Sequence, residues 1–242
     1  MIDFKRIPPV VSAGFVALLL SPATLAQSAN TVTREVELGA LFTSGNTDEE
    51  SLNFAGAINI DREQWDYAFT LDGLYSASDS RVKGQRFSAM ARANYEISEF
   101  SFFQTRVSHE DDRFSGFDSQ SDVTFSFGTE LLRHRANMSL TGNAGIGARY
   151  SRLEEGGTQS EPILRLATEY LWTLSESAEF GQDISVETGS DSNIYRSLTS
   201  IETDIMENLS LRFSLKIKHQ TEVPIGKDKT DTETAVTFVM RF

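Results

Sequence analysis

Thr232-Glu233-Thr234-Ala235-Val236-Thr237-Phe238-Val239-Met240-Arg241-Phe242 alternates at every position. Thr234, Val236, Phe238, Met240 and Phe242 lie on one face, and Glu233, Ala235, Thr237, Val239 and Arg241 on the other. Side chains of an extended strand point alternately to its two faces, so this stretch reads as a β-strand with one apolar side. An apolar-faced strand that finishes on an aromatic residue has the form of the closing strand of an outer-membrane β-barrel, where that ending acts as an assembly signal. The expected partners are therefore outer-membrane lipid and lipopolysaccharide, and the barrel-assembly machinery through the strand ending in Phe242.

The same period of two runs back through the chain. Twelve segments carry it: 33–43, 49–61, 65–77, 86–97, 100–110, 121–132, 138–152, 162–174, 178–189, 193–206, 209–222 and 232–242. In the second, Leu52, Phe54, Gly56, Ile58 and Ile60 oppose Ser51, Asn53, Ala55, Ala57 and Asn59. A strand of about 11 residues, rising roughly 3.3 Å per residue and tilted about 40°, spans about 28 Å, the height of an outer-membrane barrel. The expectation is an all-β, transmembrane antiparallel β-barrel of about 12 strands. Ten to fourteen brackets the count, because segments ten and eleven are joined only by Glu207-Asn208.

Connections alternate as well. Longer polar links follow odd segments (78–85, 111–120, 153–161, 223–231), and tight turns follow even ones (Arg62-Glu63, Ser98-Glu99, 133–136, 175–177, Glu207-Asn208). Short periplasmic turns and longer outer loops produce that rhythm and place both termini on the periplasmic side. Trp65, Tyr67, Tyr95, Phe100, Tyr170, Trp172, Phe180 and Phe242 fall beside the short turns, as a membrane-interface girdle, with Tyr75, Tyr150 and Tyr195 at the opposite ends.

Lys5 and Arg6 precede a short apolar run, 10–20, followed by Ser21-Pro22 and Thr24-Leu25-Ala26, which reads as a secretory signal peptide cleaved after Ala26. The domain expectation is signal peptide 1–26, a short periplasmic segment 27–32 and a barrel 33–242, located in the outer membrane and monomeric. Without residues 1–26 the chain keeps 20 basic and 34 acidic side chains. That balance argues against a nucleic-acid partner, which requires clustered Lys and Arg. The absence of cysteine excludes disulfides and thiolate chemistry.

The polar faces are heavily charged: Asp66, Asp72, Arg86, Arg92, Asp122, Glu130, Arg149, Arg165, Glu169, Asp183, Glu187, Arg212, Lys216 and Lys218. A wet or ion-paired lumen tolerates these groups and a lipid-facing surface does not. A soluble lipid-carrying barrel would turn the same faces to solvent, and the aromatic girdles and terminal strand argue against that inversion. Eight-stranded barrels are filled by side chains, whereas 16 strands leave a channel, and twelve falls between. Two functions compete on this pattern: a narrow channel for small hydrophilic or ionic solutes, and a closed structural or adhesin-like barrel.

Two stretches carry a family resemblance: Ser44-Gly45-Asn46-Thr47-Asp48 after the first segment, and Asp112-Arg113-Phe114-Ser115-Gly116-Phe117-Asp118 in the third outer loop, followed by Gly145-x-Gly147-x-x-Tyr150. In their order and spacing, over the chain from about residue 36, they resemble a family of bacterial outer-membrane proteins of unknown function labelled salt-induced outer membrane proteins. The resemblance implies a barrel and a link to salt or osmotic stress, and brings no catalytic residues or cofactor.

Catalytic signals are sparse. The histidines are His109, His134 and His219. His109, in His109-Glu110-Asp111-Asp112, stands where an omptin-like protease would activate water. His219 shares the apolar-face parity of Leu215 and Ile217, as does the lipid-facing histidine of outer-membrane phospholipase. An outer-membrane hydrolase using His109 or His219 is thus a third reading, and the expectation is no enzyme. Asp111, Asp112, Asp118 and Asp122 form an oxygen-rich loop that matches no EF-hand register, and no metal or cofactor is expected. Gly45, Gly116 and Gly226 suit turns of positive φ, while Gly142, Gly145 and Gly147 either thin one lumen wall or let a neighbouring strand close in.

Overall fold

The computed structural model describes residues 31–242 apart from 44–48, 79–80, 113–114, 116 and 134. The expected signal peptide and most of the 27–32 segment lie outside the described residues, as do Gly45, Asn46, Thr47, Arg113, Phe114, Gly116 and His134. Twelve strands follow one another: β1 Thr31–Thr43, β2 Glu49–Arg62, β3 Trp65–Ser78, β4 Arg81–Ser98, β5 Ser101–Asp112, β6 Phe117–Glu130, β7 Met138–Leu153, β8 Thr158–Ser175, β9 Ala178–Gly189, β10 Asn193–Met206, β11 Leu209–Gln220 and β12 Thr230–Arg241.

Each strand pairs antiparallel with its sequence neighbours, and β1 pairs with β12, which closes the barrel. Closure leaves no open sheet edge, the condition for a sheet to cross lipid. An even strand count brings the start of β1 and the end of β12 to the same rim, called here the terminal rim.

The chemistry of the two faces is the inverse of a soluble protein's. Among the described residues eight apolar side chains are buried, against seventeen polar or charged ones. Phe54, Phe69, Leu71, Phe103, Phe125, Phe127, Leu164, Phe213, Val236 and Phe238 are exposed on the outer wall. A contiguous apolar belt of this extent cannot face water in a monomeric protein and requires lipid.

At the terminal rim Trp65 stacks on Tyr67 (centroids 5.8 Å, planes 7° apart) and touches Tyr95 at 5.0 Å. Tyr170 meets Phe180 edge-on at 6.2 Å. Trp172 is paired with Phe180 across β8 and β9, and Phe242 exchanges two backbone hydrogen bonds with Arg34.

Several boundaries differ from the sequence reading. The expected loops 78–85 and 153–161 are largely strand: β4 begins at Arg81, in register with Ser78, and β8 begins at Thr158, in register with Arg152. Likewise β6 starts at Phe117, Thr31 and Val32 belong to β1, and the link between β11 and β12 is 221–229. Once a hairpin is in register, the backbone ladder continues past the lipid belt whatever the side chains, so polar stretches read as loops become paired strand.

The β6–β7 connection, 131–137, is the longest at the terminal rim rather than a tight turn. It folds back through Leu131 N–H to Leu140 C=O (2.7 Å), and the Arg133 guanidinium lies 4.7 Å from the centre of the Phe100 ring. The long-loop, short-turn rhythm is therefore weaker than the sequence suggests. Positive φ occurs at Gly156 (93°), Gly157 (104°) and Gly226 (85°). Gly226 matches its expected role, and Gly156-Gly157 form a further positive-φ turn between β7 and β8.

Candidate functional site

Period-two alternation points one face of every strand into the barrel, and register decides which charges meet there. Glu187 on β9, 1% exposed, is the most enclosed of them. Its carboxylate oxygens lie 3.0 Å from Arg196, 3.4 Å from Arg149, 3.7 Å from Arg165 and 4.0 Å from Arg106. Arg149 also donates to Glu161 (3.0 Å) and to the Ser192 carbonyl (3.1 Å), Arg165 to Asn143 (3.0 Å), and Arg106 to Asp122 (2.5 Å), which also accepts from the Ser108 hydroxyl.

Other pairs cross the interior. Lys218 on β11 bonds Glu110 on β5, and these strands stand six positions apart in the ring of twelve, on opposite walls. Arg86 on β4 reaches Glu233 on β12 (2.8 Å) and Asp72 on β3 (3.1 Å), Lys216 reaches the same Asp72 (3.4 Å), and Arg92 reaches Glu169 on β8 (2.6 Å).

Three cavities lie along this interior. The largest, about 420 Å³, is lined by Arg86, Arg92, Arg106, Arg149, Arg165, Arg196, Lys216 and Lys218 together with Asp72, Glu110, Asp122, Glu169 and Asp183. A second, about 360 Å³, abuts it across Lys216, Asp72, Met90 and Leu198 and contains Arg212, Glu35, Glu37 and Glu233. A third, about 260 Å³, abuts it across Arg92 and Glu169 and holds Asp66 and Glu130. All fourteen charged positions named from alternation thus sit on the inner face or in its ion pairs.

The lumen charges read from alternation leave out Arg106, Arg196 and Glu161, and also Glu110 and Glu233, which the sequence places beside His109 and on the polar face of the last strand. Arg106 shares the parity of Gln104 and Ser108, a signal that was legible. Arg196 lies between Ile194 and Leu198, which also point inward, and those apolar neighbours hide the polar face of β10.

A second network staples the closure. Arg212 bonds Glu37 and lies 2.9 Å from Glu35 and 2.6 Å from Glu202, while Arg241 bonds Glu202 and reaches Glu35 at 3.0 Å. Thr237 donates to Glu37 at 3.0 Å. These contacts sit where β1 meets β12 over four ladder pairs, Glu35–Leu38, and the reciprocal Arg34–Phe242 hydrogen bonds, compared with thirteen ladder pairs between β1 and β2.

Gly145 and Gly147 point inward from β7, and a Cβ on either would collide with the backbone carbonyls of Phe125 and Val123. They let β6 and β7 close together. Gly142 instead points outward, against Leu131, so it is not part of the lumen wall.

His109 and His219 share the outward parity of Val107 and Phe213. The Nδ1 of His109 is 2.8 Å from the Ser121 hydroxyl, and that of His219 is 2.8 Å from the Thr230 hydroxyl, with the Tyr195 ring at 6.0 Å. His219 borders none of the interior cavities, whereas His109 borders the largest while sharing the exposed, outward parity of its strand. In the β5–β6 link, Ser115 donates to the Asp112 carbonyl (3.1 Å), and Asp118 falls at a bulge where β6 slips one residue against β7. Asp111, Asp112, Asp118 and Asp122 do not converge: Asp122 points into the lumen, and among the described residues no cluster of acids or histidines could hold a metal ion.

The barrel is similar in fold to the NanC porin (TM-score 0.54, 6% identity, covering 86% of this chain and 98% of that one). It is also similar to an outer membrane channel from Pseudomonas putida F1 (TM-score 0.50, 9% identity, 90% and 97% covered). In sequence it is similar to the uncharacterized protein YdiY of Escherichia coli strain K12, 21% identical over 199 residues, 82% of this chain and 78% of that protein. The model of a family described as a protein of unknown function, DUF481, matches residues 36–242. The chain therefore belongs to that family, the outer-membrane barrel family that its Ser44-Gly45-Asn46-Thr47-Asp48 and Asp112–Asp118 stretches resemble.

Proposed function

We propose that this protein is a narrow outer-membrane channel for small hydrophilic or ionic solutes, monomeric, with both termini periplasmic and the outer wall in contact with lipid and lipopolysaccharide. One observation carries the reading: the interior is a series of charged cavities whose partitions contain ion pairs, Lys216–Asp72 and Arg92–Glu169, rather than an apolar filling. Ion pairs facing water-sized space can part and re-form as a solute passes, which a packed apolar core cannot do. No catalytic step enters the reading.

A link to salt or osmotic stress belongs to the same proposal. Raising salt from 0.1 to about 1 M shortens the screening length from about 10 Å to about 3 Å and weakens such pairs. Conductance is then expected to rise more steeply than the conductivity of the bath.

The second reading, a closed structural or adhesin-like barrel, draws on the Lys218–Glu110 pair that joins opposite walls. Planar-bilayer recording of the refolded protein separates the two. Discrete openings are expected, and their absence across 0.1 to about 1 M salt overturns the channel in favour of the closed barrel.

A further inference from the structure

We infer that the largest interior cavity is a recognition site for small oxyanions, carboxylate-bearing solutes above all, and that it makes the channel anion-selective. The inference deepens the channel reading, and its binding part stands without conduction.

Charge placement is the first argument. The chain carries a net charge of −13, yet around the 420 Å³ cavity eight Lys and Arg side chains stand level with eight acids, five in the lining and Glu161, Glu187 and Glu233 paired with lining arginines. Charge balance in the lumen of an acidic protein repels an anion less than the rest of the surface does, and low-dielectric walls focus whatever local excess remains.

The second argument is local. Four guanidiniums, those of Arg106, Arg149, Arg165 and Arg196, converge on the single carboxylate of Glu187. Asp122 on Arg106 and Glu161 on Arg149 bring the acids to three, so one positive charge is left over.

The third is an unmet donor. Arg149 is 2% exposed and lines the cavity, and its Nε–H finds no acceptor. A buried donor without an acceptor is costly. The planar fork of a guanidinium matches a carboxylate in two-point contact, which a chloride ion or a neutral sugar cannot offer. The volume lies in the range of sites that enclose small ligands.

Two measurements test this on the full refolded protein. Reversal potentials under a potassium chloride gradient are expected to show chloride preferred over potassium by at least about threefold, with Arg165→Gln and Arg196→Gln lowering that preference. Separately, malonate is expected to raise the midpoint of heat-induced barrel unfolding above that in potassium chloride of equal ionic strength, with the increment lost in Arg196→Gln.

Openings that prefer potassium leave the channel standing and overturn the anion inference. If there are no openings, the channel reading fails and the malonate increment alone decides: present, it supports the site; absent, it overturns it. Should Arg165→Gln or Arg196→Gln fail to fold, Arg165→Lys and Arg196→Lys keep the charge but lose the fork, and retention of the full malonate increment in both would sink the two-point contact.

Discussion

Glu187 shows what a single residue decides. Its carboxylate sits among four guanidiniums in a nearly sealed part of the lumen, so removing its charge leaves buried cations without an anion, a change that costs about 3–5 kcal/mol in proteins. Glu187→Gln is therefore expected to lower the midpoint of urea unfolding in lipid vesicles sharply. Arg152→Ala, at an exposed position, is expected to shift it by no more than about 0.5 kcal/mol. Equal effects would show that the cluster is not structurally important. Gly147 works by the absence of a side chain: a Cβ would press on the Val123 carbonyl and the Thr124 backbone. Gly147→Ala is expected to destabilise by about 1–3 kcal/mol, read in the same assay, and a neutral result would mean that β6 and β7 have slack that the register does not suggest. Alternation placed Glu187 on the polar face, but it could not show that four arginines from four other strands would meet there.

At the scale of elements, the closure between β1 and β12 is the short join of the barrel. Four ladder pairs and the reciprocal Arg34–Phe242 hydrogen bonds hold it, and the acids Glu35, Glu37 and Glu202 are tied across it by Arg212 and Arg241. Arg212→Ala removes the cation shared by all three acids, leaving Arg241 on Glu35 and Glu202 and no cation on Glu37. The folded, fast-migrating form in unboiled electrophoresis is expected to convert to the unfolded form at a lower temperature than in the parent. An unchanged conversion temperature would assign closure to the backbone ladder alone. Strand existence was legible throughout, because apolar residues at every second position repeat in all twelve segments. Strand ends were not: β4 and β8 run beyond the expected positions because hairpin pairing satisfies backbone groups whatever the side chains beyond the belt.

For the whole molecule, ionic strength is the informative variable. Lys218–Glu110, Arg86–Glu233, Lys216–Asp72 and Arg92–Glu169 join strands that are not neighbours, so they narrow the interior as well as hold it. Screening acts on them more weakly than on surface pairs, and the steeper rise of conductance should be most evident toward 1 M salt, where the screening length falls to about 3 Å. A strictly proportional rise would show that these pairs do not gate. By itself the sequence determined that this chain is a transmembrane β-barrel, which residues face lipid and which face inward, because alternation is a local property written into every strand. Which charges meet, that Lys218 finds Glu110 on the far wall, and that eight cations share one cavity with their acids came from the three-dimensional arrangement. Those outcomes depend on strand order, register and closure, which bring together residues more than a hundred positions apart, and no local period encodes them.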